Sequence, residues 1–241
     1  MKGFDQLNFY FLTAFHKATQ RYWDANKEEA GKALWNSLMN LPGPRRARTI
    51  PEKSDAVLFK LWEYFSEIEK SIESTRTIQK YIRYSPPKKL DIKLSVHLSY
   101  HVHNYLNEIY ILQCRLESFS KVVLRTYKSD IDDPKSLELR IGKFLSSFKS
   151  IVTVRGHHVH RFRYESPEID RLSEIELLLS FPGETISYAL LPEARTAAKS
   201  KWLQTLADNE RAISEIIDGY AKLLTPILFT RSGTWKCPTK V

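Results

Sequence analysis

Apolar residues recur at steps of three and four along most of this chain, the spacing that gathers them on one face of an α-helix. Phe4, Leu7, Phe11, Ala14, Ala18 and Tyr22 form the first stripe. A short helix from Glu28 to Leu41 is expected next, stopped by Pro42-Gly43-Pro44. The segment from Ser54 to Tyr84 repeats the pattern with Leu58, Leu61, Phe65, Ile68 and Ile72. Ser54 reads as its N-cap and Pro86-Pro87 as its stop. The most regular stripe is Leu98, Val102, Tyr105, Ile109, Leu112, Leu116, Phe119 and Val123, a coiled-coil-like seam of alternating fours and threes. Between Leu106 and Leu112 apolar residues occupy almost every face, which predicts a central buried helix ending near Asp130.

Leu137, Ile141, Phe144, Phe148 and Val152 continue the pattern. Pro167 starts another helix running to Leu179, with Glu168 and Asp170 in its first turn. A last long helix is expected from about Pro192 to Phe229, with Trp202, Leu206, Ile213, Ile217, Tyr220 and Leu224 inward. Valine and isoleucine nowhere alternate with polar residues over a strand's length. The fold class is therefore all-α, an antiparallel helical bundle of about six to seven helices with long central helices. Residues 1–50 read as an N-terminal helical extension packed on the main domain, 51–230 as the main bundle, and 231–241 as a loose C-terminal tail. Most tyrosines and tryptophans fall on the stripes and are expected in the core. Trp235, in the tail, is free to dock on a partner.

Composition agrees with a folded helical protein. Of 241 residues only 8 are glycine, while 42% are hydrophobic and 27% charged. Such a chain makes one large domain or two small ones and needs no disulfide framework. Cys114 and Cys237 read as free thiols of a reducing, cytoplasmic compartment. No secretory signal pattern opens the chain, and no run is long enough to span a membrane. The net charge of +9 favours a polyanionic partner, above all nucleic acid, or serves solubility alone. Arg45-Arg46-Ala47-Arg48 reads as a solvated loop. No Walker loop, GxGxxG, GxSxG elbow or zinc-finger spacing is present.

Six of the seven histidines fall in two groups: His97, His101 and His103, then His157, His158 and His160. Arg155 precedes the second group and falls where the stripe through Val152 would place its next core residue. A buried guanidinium needs an anion. One reading pairs Arg155 with Glu108 on the central helix. The other makes it a phosphate clamp, since arginine holds phosphate bidentately and a neighbouring histidine moves protons near neutral pH. In a straight helix His158 shares its face and His160 lies away from it, unless Gly156 bends the helix. That combination suits metal-free cleavage of a phosphodiester by the ribose hydroxyl.

A competing reading is a metal site. His97 and His101, spaced i, i+4, share a helix face that Asn104 and Glu108 continue, and His157 or His160 would complete a tetrahedral set. The plainer reading of that stripe is a polar flank on a core helix, with no metal and no cofactor.

Arg155-x4-His160 resembles the Arg-x4-6-His signature of the HEPN superfamily of helical nucleotide-binding domains, and the surrounding helices of roughly Leu90 to Leu179 are similar in order. The resemblance implies that Arg155 binds phosphate and that His160, or His158, is the general acid and base of a metal-independent ribonuclease. Lys149, His157, Arg161 and Arg163 would then contact the nucleic acid, and two protomers would share the cleft as a homodimer. Gly156 stands where the family usually carries a polar residue, and the family includes non-catalytic members. The alternative is a non-enzymatic helical interaction module, with the 98–123 seam as a candidate interface.

Overall fold

The computed structural model describes residues 2–39, 53–86, 91–148, 166–182 and 186–239. Among these the chain is all-α, with six helices: α1 Lys2–Leu38, α2 Lys53–Arg83, α3 Leu94–Thr126, α4 Pro134–Ser146, α5 Pro167–Leu178 and α6 Ile186–Leu228. The only β-type pairing among them is one isolated bridge between Phe229 and Trp235. The Pro42-Gly43-Pro44 turn and the Arg45–Arg48 basic loop lie outside the described residues.

Several boundaries differ from the sequence expectation, each for a local reason. The first two expected helices are one, because nothing between Tyr22 and Glu28 breaks a helix. Asn26, the residue there most prone to leave it, donates its side-chain amide to the Tyr22 carbonyl at 2.7 Å. Ser54 lies one residue inside α2 rather than capping it. The last helix begins six residues before Pro192 and carries that proline internally. Proline lacks an N–H, so this early position removes one backbone hydrogen bond without ending the helix. α5 begins at Pro167, as the sequence implies, and α4 likewise begins at a proline, Pro134. Asp133 accepts from the Ser136 N–H at 3.0 Å beside Pro134, and Pro167 follows Ser166.

The chain divides into two compact units. The first comprises Met1–Phe65, Phe119–Ile141 and Asp218–Val241. Its core is aromatic. Phe11 stacks on Phe65 with ring centroids at 4.7 Å and meets Phe229 edge-on at 5.1 Å. Phe4 also stacks on Phe65, while Phe15 packs on Phe59 and Trp62. Advancing along α1 from Phe4 to Phe15 therefore runs backwards along α2, which makes the pair antiparallel. Arg21 closes the far end on Asp55 at 2.6 Å. Asp218 receives the Gly3 and Phe4 N–H groups, so a carboxylate sits at the positive end of α1. The Lys222 ammonium, then those backbone N–H groups, holds its carboxyl below the usual range.

The tail expected to be loose is folded back on this unit. A turn through Gly233 returns the chain so that Lys236 N–H donates to the Leu228 carbonyl at 2.9 Å. Trp235 then packs against Phe11, Tyr127 and Phe229. The Tyr127 hydroxyl donates to the Lys236 carbonyl at 2.7 Å. Apolar area explains the correction, because the indole covers rings that would otherwise face water.

The second unit comprises Ser66–Ser118 and Gly142–Ile217. Here α2 and α3 are antiparallel, since Glu67 meets Arg115, Ser71 meets Glu108 and Tyr81 meets His101. All eight seam residues from Leu98 to Val123 are fully buried within the chain, so the seam is core and not a surface for a second copy. The helix is not buried all round, however. Tyr100, Tyr110 and Ile111 are exposed. Glu176 of α5 accepts from the Leu94 and Ser95 N–H groups and the Ser95 hydroxyl, capping α3 across the unit.

Candidate functional site

Lys149, Arg155, His157, His158, His160, Arg161 and Arg163 lie outside the described residues. The residues before them are described as far as Phe148. The stripe from Leu137 was extended through Val152 to Arg155 by helical counting. α4 ends at Ser146, and the Ser147 and Phe148 N–H groups donate to Phe144 and Leu145, a tightened i−3 pattern that closes the helix. Leu137, Ile141 and Phe148 are buried. The continuation of the stripe through Val152 to Arg155 lies outside the described residues.

Glu108, the carboxylate considered as its partner, is held within α2 and α3. The Ser71 hydroxyl donates to it at 2.8 Å and Arg115 lies at 3.6 Å. Arg115 also pairs with Glu67 at 2.8 Å and donates to the Glu67 carbonyl at 2.9 Å and to the Ser71 hydroxyl. One guanidinium thus joins two carboxylates, a hydroxyl and a backbone carbonyl, as its planar fork of donors permits. The Lys70 ammonium hydrogen-bonded to Glu67 is the main reason the Glu67 carboxyl lies below its usual range.

Above this network the second unit carries an open groove between α2 and α3, about 800 Å³ in volume. Lys70, Thr77, Ile78 and Tyr81 line it from α2, and Tyr100, His101, Asn104 and Glu108 from α3. At one end the His101 ring lies flat on Tyr81, 5.2 Å between centroids and 6° from parallel. His97 meets His101 edge-on at 4.5 Å, and Tyr100 meets it edge-on at 5.2 Å. His97 Nε2 is 3.0 Å from the Tyr81 carbonyl. A carbonyl only accepts, so Nε2 carries the proton and His97 satisfies one of the open carbonyls at the end of α2. Partial burial, then the neighbouring His97, pushes the His101 pKa below 6.5.

His97, His101, Asn104 and Glu108 lie half-buried along one flank of this core helix. Among the described residues no three histidine, cysteine or carboxylate side chains converge as metal ligands, and His97 is already engaged through a ring nitrogen. Cys114 and Cys237 are free thiols. No helix among the described residues is long and apolar enough to cross a membrane.

The sequence reading missed the exposed aromatics here. Tyrosines were expected in the core, yet Tyr81, Tyr84 and Tyr100 stand 54%, 66% and 63% exposed. A signal existed in Lys80-Tyr81-Ile82-Arg83-Tyr84, where basic and aromatic residues alternate about one buried isoleucine. Comparison with protein-family models, curated proteins and solved structures finds no match to this chain.

Proposed function

We propose that this chain is a HEPN-like helical protein that binds RNA or a nucleotide and cleaves RNA without a metal. The observation that carries the reading is the Arg155-x4-His160 run in a basic, all-α chain. Arg155 holds the scissile phosphate, and its guanidinium offsets the charge that builds on the phosphoryl oxygens. His160, with His158 as the other candidate, takes the proton of the ribose 2′-hydroxyl as that oxygen attacks phosphorus. An imidazolium returns a proton to the departing 5′-oxygen, leaving a 2′,3′-cyclic phosphate and a 5′-hydroxyl. Lys149, His157, Arg161 and Arg163 contact the flanking backbone. Two copies sharing the cleft as a homodimer supply one histidine as base and the other as acid. The free thiols fit a cytoplasmic protein.

Cleavage of a fluorescent single-stranded RNA in excess EDTA tests this. Wild type is expected to cut, Arg155→Ala and His160→Ala to lose at least about a hundredfold in rate, as expected for loss of a phosphate clamp or a proton-transfer group. Equal rates in all three proteins would overturn the assignment. An uncut RNA with a dimer by light scattering would favour the non-enzymatic interaction module instead. One equivalent of zinc in untagged protein would favour the histidine metal site.

A further inference from the structure

Tyr81, Tyr84 and Tyr100 all belong to the second unit and leave more than half of their surface in water. Tyr81 and Tyr84 are three residues apart on α2 and its end, hence on neighbouring parts of one helix face. Tyr100 adjoins Tyr81 through the His101 ring that both of them contact. His101 backs one face of Tyr81 and holds that ring flat. The Tyr81, His101 and Tyr100 rings thus form one contiguous aromatic surface in the free chain.

The charges at the end of α2 that flank these rings are positive, while the carboxylates Glu73 and Glu108 line the groove farther along it. Lys80 and Arg83 flank the two α2 tyrosines and are exposed. Lys199 of α6 reaches Ser85 at 3.2 Å, which sets a third cation at the same end of α2. Lys80 and Arg83 also complement the negative end of the α2 dipole, but Lys199 belongs to another helix and that role does not account for it. Asn104 adds an amide on the groove wall beside His101.

Aromatic rings with free faces beside cations match one partner chemistry well. The bases of a single-stranded nucleic acid stack on rings whatever their sequence, while the phosphates between them meet ammonium and guanidinium groups. A duplex hides its base faces and gains only the cations. We propose that the Tyr81, Tyr84 and Tyr100 surface, with Lys80, Arg83 and Lys199 beside it, is a stacking platform for single-stranded RNA. The proposal rests on the RNA-binding reading above and names the form of RNA and where it lies, apart from the Arg155 run.

The test is fluorescence anisotropy with labelled ten-nucleotide poly(U) and poly(A) and a ten-base-pair RNA duplex, using the full chain in EDTA. Wild type is expected to bind both single strands at least tenfold more tightly than the duplex. Tyr81→Ala/Tyr100→Ala is expected to weaken single-strand binding at least tenfold, whereas Tyr100→Phe, which keeps the ring, stays within about twofold of wild type. Because the replaced rings are more than half exposed, the variants should keep the wild-type circular dichroism spectrum and melting temperature. Tyr84→Ala, beyond the end of α2, provides a second readout if the double variant unfolds. Undiminished binding in the alanine variants, while Arg155→Ala abolishes cleavage, overturns the platform and leaves the proposed function standing. A duplex bound as tightly as the single strands also overturns the platform. RNA binding absent from wild type overturns both.

Discussion

Gly233 has φ of +80°, and a β-carbon there would come within 2.5 Å of the Tyr10 ring. Both the left-handed backbone and the close ring exclude any other residue without a shift. Gly233→Ala is therefore expected to destabilise the protein by about 2 kcal/mol, the left-handed penalty plus some overpacking, as read by urea denaturation. An unchanged midpoint would mean that the tail turn contributes nothing to stability. Gly3 is constrained by approach instead, since a β-carbon there would meet Lys222 at 2.8 Å beside the Asp218 that caps α1. Arg115 shows the same dependence on partners through charge. Its removal would leave Glu67 and Glu108 on adjacent helices without their shared cation, which is expected to lower the melting temperature. Arg115→Lys should recover only part of that, because an ammonium cannot fork between them.

At the scale of elements, helix periodicity was easy to read and helix ends were not. Every seam position of α3 and every stripe position of α2 named from sequence is buried. Tyr22, the last position named on α1, is exposed, because a stripe reports only as far as something packs against it. The tail was invisible to such reasoning. It has no period, and its order comes from Trp235 meeting Phe11, Tyr127 and Phe229, residues more than a hundred positions apart from one another. Trp235→Ala should lower stability by about 3 kcal/mol, near the low end for losing a packed indole, with a matching fall in melting temperature. If melting is unmoved, the tail is an appendage rather than part of the first unit. The α2 and α3 groove also belongs to this scale. Two amphipathic helices hide their stripes from water and leave polar and aromatic flanks facing each other across its mouth.

For the whole molecule the net charge of +9 sets a general attraction for polyanions, while local packing sets the response to pH. His101 has a folded pKa below 6.5, because partial burial and then His97 disfavour its charged form. Above 6.5 the imidazole is neutral in folded and unfolded chains alike, and its contribution is fully present. As pH falls below 6.5 the unfolded chain takes the proton first, so stability drops until the folded chain is protonated too. Melting temperature should therefore fall between pH 7.5 and pH 5.5, and fall less in His101→Gln. An equal fall in both proteins would place the acid sensitivity elsewhere. The sequence by itself determined the helical class, the buried faces, the start of α5, and the Arg155–His160 run as a chemical candidate. These follow from local spacing and residue type, which a linear pattern records. Only the tertiary structure decided where α4 stops, that Glu108 belongs to Arg115, that the tail is packed, and that three tyrosines face water beside three cations. Each of these depends on which surfaces remain uncovered once distant segments have packed together, and a periodic pattern along the chain does not contain that information.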